Sequence, residues 1–180
     1  MSFGRPTRRR PGEPEPVVPP LTFVALERSA QWHLGRRALT TAELRAALQK
    51  KAARHAPNTE TPGWIETLVQ RLTAGAVLDD QRVAEARIES GRNRGWSKRR
   101  IGLKLRGVEA EVRDGAFAEV DTGDGGTAAD AELAAAVRFV EKKRLREKDP
   151  QKALGALARQ GFSFAVARAS LATPTDDDDA

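Results

Sequence analysis

The residue types that most often do chemistry are either missing from this sequence or spaced for another purpose. There is no cysteine, which removes thiolate nucleophiles, disulfides and cysteine-based zinc sites and suits a reducing compartment. The two histidines, His33 and His55, have no second ligand at metal spacing beside them. GDGG at 123–126 lacks the preceding strand and the lysine-serine/threonine ending of a phosphate loop, so it reads as linker. Asp79 and Asp80 are adjacent. On a helix they would point about 100° apart, which suits capping better than paired acid-base work. Glu85 and Glu89 are four apart and could hold a cation, but Arg82, Arg87 and Arg92 lie close enough to compete. The Asp run near the C-terminus reads as a solvated like-charge tail. No coherent catalytic set, metal site or cofactor site emerges, and the expectation is a protein that is not an enzyme.

What does stand out is positive charge. Arg87, Arg92, Arg94, Lys98, Arg99, Arg100, Lys104 and Arg106 fall within twenty residues, opposed only by Glu89. A second cluster includes Lys142, Lys143 and Arg144. So many like charges repel one another unless something anionic faces them, either phosphates or an acidic protein surface. Trp96 lies at a turn inside the first cluster, where it could stack on a base or pack under the turn. These residues, with Trp96, are the candidate partner- or nucleic-acid-binding set. Net charge is +6; residues 1–20 carry +2 and 173–180 carry −4, which leaves the middle at +8.

The elements that must position these groups are helices. Hydrophobic residues are 39% and aromatics 5%, so the core rests on Leu, Val, Ile and Ala, a composition suited to thin helical layers. Apolar residues recur at helical spacing throughout. Phe23, Leu26, Ala30 and Leu34 mark a first helix. Leu44, Leu48 and Ala52 mark a second, capped by Thr40 or Thr41. After a loop at 55–63, Ile65, Leu68 and Leu72 mark a third, ending near Gly75. Asp79 or Asp80 caps a helix bearing Val83, Ala84 and Ile88; Ser97 caps one bearing Ile101 and Leu105; Val112, Ala116 and Val120 line the next. Leu133, Ala136, Val137 and Val140 begin a last set. Asp149-Pro150 starts a helix ended by Gly161, and Ser163 caps a final one with Phe164, Ala167 and Leu171 inward.

The middle helix of each set repeats one pattern: a cap at Thr40, Ser97 or Asp149, with apolar residues four and eight positions on. The expected fold class is therefore all-α, with three tandem three-helix repeats in an elongated, curved array. The expected organisation is a Pro/Arg-rich arm at 1–20, repeats at 21–76, 77–120 and 130–172, a Gly-rich linker at 121–129, and an acidic tail at 173–180. No run of 18 apolar residues or secretory signal is present, so the expected place is the cytoplasm, with no membrane contact.

Residues 75–111, GAVLDDQRVAEARIESGRNRGWSKRRIGLKLRGVEAE, resemble the signature region of the RecX family, regulators of the bacterial RecA recombinase. Gly75, Leu78, Asp79, Asp80, Ala84, Arg92, Gly95, Trp96, Ile101, Leu105, Gly107 and Val108 stand at matching places. ARQGFSFAV (158–166), RFVEKKR (138–144) and AQWHLGRRALTTAELRAAL (30–48) resemble the family's later and opening segments in order. Val83 replaces an expected Phe, Ser97-Lys98 replace a Gly-Pro turn, and Arg106 replaces a Lys. The resemblance implies a nine-helix array that lies along RecA filaments; a monomer is the expected state, with single-stranded DNA as a further candidate contact. It implies inhibition of RecA ATPase, strand exchange and co-protease activity. The alternative is a helix-turn-helix regulator reading duplex DNA through the helix capped by Ser97.

Overall fold

The computed structural model describes residues 20–123 and 125–174, so the arm up to residue 19 and the Asp run lie outside the described residues. Among the described residues the chain is all helical: α1 (Phe23–Leu34), α2 (Thr41–Ala52), α3 (Thr61–Ala74), α4 (Asp80–Asn93), α5 (Lys98–Lys104), α6 (Ala110–Thr122), α7 (Ala128–Lys142), α8 (Pro150–Gln160) and α9 (Phe164–Ala172), with a 3-10 turn at Leu145–Glu147. No helix among them is long and apolar enough to cross a membrane.

Each middle helix starts where its hydroxyl or carboxylate cap places it. Thr40 accepts from the Glu43 amide and forms a capping box with that residue; Ser97 accepts from Arg100, and Asp149 from Lys152. The residues four and eight past each cap are all buried: Leu44 and Leu48, Ile101 and Leu105, Ala153 and Leu157. They anchor three apolar clusters. Leu26, Leu44, Ile65 and Leu68 belong to the first, from α1–α3. Ile88, Ile101, Ala116 and Phe117 belong to the second, from α4–α6. Ala136, Val140, Leu157 and Ala167 belong to the third, from α7–α9.

Two expectations change. Phe164 does not point inward: it is 69% exposed, while Phe162 is buried in the third cluster. Phe164 is the first residue after the Ser163 cap, whereas Ala167, four past it, faces the core. The connection between the second and third clusters is also shorter than 121–129. Helix α6 runs to Thr122, and Thr127 already caps α7 in a capping box with Asp130.

The joints between clusters are made by polar side chains and one glycine. Asp79 caps its own helix, but Asp80 reaches back to α2, accepting from the Thr41 amide and hydroxyl, both at 2.7 Å. An adjacent carboxylate pair thus satisfies orphan donors on two different helices. Buried Ser97 also works twice: it caps α5 and donates to the Gln160 carbonyl at the end of α8, at 2.6 Å. Gly95, with φ +71, lies where α4 turns against α7. A Cβ there would come 2.8 Å from the Phe139 amide nitrogen and 3.0 Å from the Ala135 carbonyl. Gly95→Ala is expected to cost about 3 kcal/mol, from the left-handed backbone plus contacts that main chain cannot yield. Urea unfolding of the variant measures it, and a loss below roughly 1 kcal/mol would contradict the close approach.

Candidate partner-binding site

The basic segment 87–106 divides into cations ion-paired inside the molecule and cations that make no ion pair among the described residues. Arg92 is internal. Ala84, Ile88 and Arg92 are spaced by four on the buried stripe of α4, so helical geometry carries the guanidinium inward. There it forks onto Asp121 of α6, with Nε to Oδ1 at 3.0 Å and Nη2 to Oδ2 at 2.8 Å, and its other terminal nitrogen donates to Glu132 of α7. The Asp121 side chain is only 1% exposed. Burial opposes the charge on Arg92, but the bonds and charges of Asp121 and Glu132 more than offset it and hold its pKa above the ordinary value. Glu132 also accepts from the Lys98 amide at 2.9 Å. One ion-paired group therefore ties α4, α5, α6 and α7 together.

Arg87 is half-buried and donates to Glu43 of α2 at 2.7 Å, bracing the first cluster against the second. Burial alone would raise the Glu43 carboxyl. The Arg87 hydrogen bond, the Thr40 amide, and the charges of Arg87 and Arg37 outweigh that and hold it below its ordinary value of 4.5. A depressed carboxylate pKa contributes stability that is present above the ordinary value and lost as pH falls through the depressed one. Glu43→Gln is expected to lower stability at neutral pH by less than about 1 kcal/mol, since the pair is partly exposed. Denaturant unfolding at a series of pH values should show the gap between wild type and variant begin to narrow below pH 4.5 and close once pH has fallen through the depressed Glu43 value; a gap that does not narrow as the pH falls would contradict the assignment.

The remaining cations of this segment, Arg94, Lys98, Arg99, Arg100, Lys104 and Arg106, make no ion pair among the described residues. Several rest on other surfaces. The Lys98 ammonium sits 4.9 Å from the Phe117 ring centroid, and Arg100 donates to the Gln160 side chain. A Cβ added to Gly161 would meet the Arg99 side chain at 3.3 Å, so Arg99 lies against the end of α8. Trp96 is half-buried, packed against the second cluster, with Arg94 at 5.5 Å and Arg100 at 4.5 Å from its ring centroid. Arg94, Lys104 and Arg106 are exposed.

Arg87, Arg94, Trp96 and Lys104 converge on one groove between the first and second clusters, with a cavity volume of about 810 Å³. Its floor and walls include Leu34, Leu39, Val77, Val83 and Ala86, and Arg37 and Arg82 add charge at its edge. Val77 is 57% exposed. Arg37, Arg82 and Val77 were not in the sequence-derived set, because they belong to the site only through the packing of α1–α3 on α4. Lys142, Lys143 and Arg144 are exposed at the end of α7, where cations complement the helix dipole, and they do not line this groove. Glu85 accepts from the Gln81 side chain at 2.6 Å. Among the described residues no cluster of potential metal ligands occurs. Glu43 and Asp79 also line the groove; Glu43 neutralises Arg37 and Arg87, while Arg82, Arg94 and Lys104 make no ion pair among the described residues. An apolar-floored trough with those three cations at its edge can take an acidic, partly apolar protein surface.

No family model matches the chain. It is 34% identical over 176 residues to the Regulatory protein RecX of Myxococcus xanthus (strain DK1622), covering 89% of each chain. It is 37% identical over 147 residues to the Regulatory protein RecX of Mycolicibacterium vanbaalenii, covering 73% of this chain and 72% of that one. It is also 30% identical over 181 residues to the Regulatory protein RecX of Agrobacterium fabrum (strain C58), covering 92% of each.

Proposed function

The chain belongs to the RecX family, and from that membership we propose that it is a regulator that binds RecA nucleoprotein filaments. Binding inhibits RecA ATPase, strand exchange and co-protease activity and so modulates recombination and DNA repair in the cytoplasm. The observation that carries this reading is the groove between the first and second clusters, apolar below and rimmed by Arg82, Arg94 and Lys104. The separate apolar clusters of α1–α3, α4–α6 and α7–α9 support the reading of three tandem repeats. Three units in a curved row would let one monomer bridge neighbouring RecA subunits, gaining avidity from several modest contacts. The exposed cations at Lys142, Lys143 and Arg144 lie outside that groove and would add basic contacts on the third unit.

The duplex-reading alternative is weaker on local grounds. Helix α5 has only seven residues, and Ser97, Arg99 and Arg100 are turned toward the end of α8, whereas a recognition helix must present its first turns to base edges. The test is the ATPase rate of RecA on single-stranded DNA with sub-stoichiometric protein added. The rate is expected to fall; an unchanged rate would overturn the proposal.

A further inference from the structure

A second basic groove lies between α1 and α2 and shares no residue with the first. Its lining residues follow helical stripes: Arg28, Ser29, Trp32 and His33 on α1 face Ala47, Lys50, Lys51 and Arg54 on and just beyond α2. The trough has a cavity volume of about 550 Å³ and contains no carboxylate. Arg28, Lys50, Lys51 and Arg54 make no ion pair among the described residues, and the neighbouring acid Glu27 is engaged by Arg71. Trp32 is 57% exposed, with His33 edge-on at 4.8 Å between ring centroids and Arg36 at 4.8 Å from the indole centroid.

The helix dipole accounts for Lys50 and Lys51 in the last turn of α2. It accounts neither for Arg28, midway along α1, nor for a large aromatic left in solvent beside the cations. An acidic peptide would use the charges but not the ring. Duplex DNA would also use the charges, but its bases are already stacked. Unpaired bases joined by phosphodiesters use both, because phosphates follow the cations while a base stacks on indole without regard to sequence. We infer that the α1–α2 groove binds the backbone of single-stranded nucleic acid, with Trp32 as the stacking platform and Arg28, Lys50, Lys51 and Arg54 as phosphate contacts.

The test uses the full chain without RecA, so its outcome is separate from that of the regulatory reading. A fluorescent fifteen-nucleotide oligo-dT is titrated by anisotropy while intrinsic tryptophan emission is followed. Wild type is expected to bind with partial quenching. Trp32→Phe should lose that quenching and bind several-fold more weakly. Combined Lys50→Glu, Lys51→Glu and Arg54→Glu should weaken binding roughly ten-fold or more and flatten the salt dependence by about two units of log–log slope, with the far-UV CD spectrum unchanged. Oligo-rU of the same length should bind comparably, since ring and cations read neither sugar nor base. Wild-type affinity in the Trp32 variant or in the charge variant, or tighter binding of a matched duplex or a polyglutamate peptide, would overturn the assignment.

Discussion

Arg92→Ala is expected to destabilise the chain by about 3–5 kcal/mol, the largest single-residue effect of any change to the basic segment. The arginine contributes little as surface charge because its side chain is 6% exposed; what the variant leaves behind is the Asp121 carboxylate, 1% exposed, with its forked partner gone. Unpaired buried charge costs far more than the pair contributes. Arg92→Lys should recover only part of the loss, since a single ammonium cannot fork onto Asp121 and reach Glu132 together. Urea unfolding measures both. A loss below about 1 kcal/mol for Arg92→Ala would place the guanidinium at the surface instead.

Reversing Arg94, Lys104 and Arg106 to Glu is expected to do the opposite: little to stability and much to function. All three are exposed and make no ion pair among the described residues, so the fold should lose about 1 kcal/mol or less, mostly the contact between Arg94 and Trp96. Inhibition of RecA should fall roughly ten-fold or more, because like charge at an electrostatically matched surface slows association and repels the docked partner. Reversal of Lys98, Arg99 and Arg100 would be harder to interpret, since those side chains also rest on Phe117, Gly161 and Gln160. Wild-type inhibition by a well-folded triple variant would show that these exposed cations, Arg94 and Lys104 at the groove edge and Arg106 beside it, are only a solvated face.

The helices were legible because their start signals are local. Thr40, Ser97 and Asp149 each cap a helix, and the apolar residues four and eight positions later are buried in every case. The same rule, applied to Ser163, points to Ala167 and away from Phe164, because burial here follows helical register and not side-chain hydrophobicity. The tertiary partners were not legible. Asp80 bonds Thr41 across 39 residues and Ser97 bonds Gln160 across 63, and no local pattern encodes such pairings. Arg92 did carry a signal: a charged residue four past Ile88 on an apolar stripe must find an acid when buried. Asp121, four past Phe117, carried the matching one, hidden by the glycine-rich stretch that follows it. The basic segment therefore reads as a single patch, whereas the structure divides it into an internal brace at Arg92, a joint at Arg87, groove-edge cations at Arg94 and Lys104, and an exposed Arg106 outside the groove lining.

Co-sedimentation with RecA filaments on single-stranded DNA tests the central claim most directly, provided that direct nucleic-acid binding is removed with the Lys50→Glu, Lys51→Glu, Arg54→Glu background. In that background the protein is expected to pellet with filaments, and adding Arg94→Glu, Lys104→Glu and Arg106→Glu should return it to the supernatant. Protein that stays in the supernatant with those three cations intact, or pellets equally with them reversed, would contradict the account.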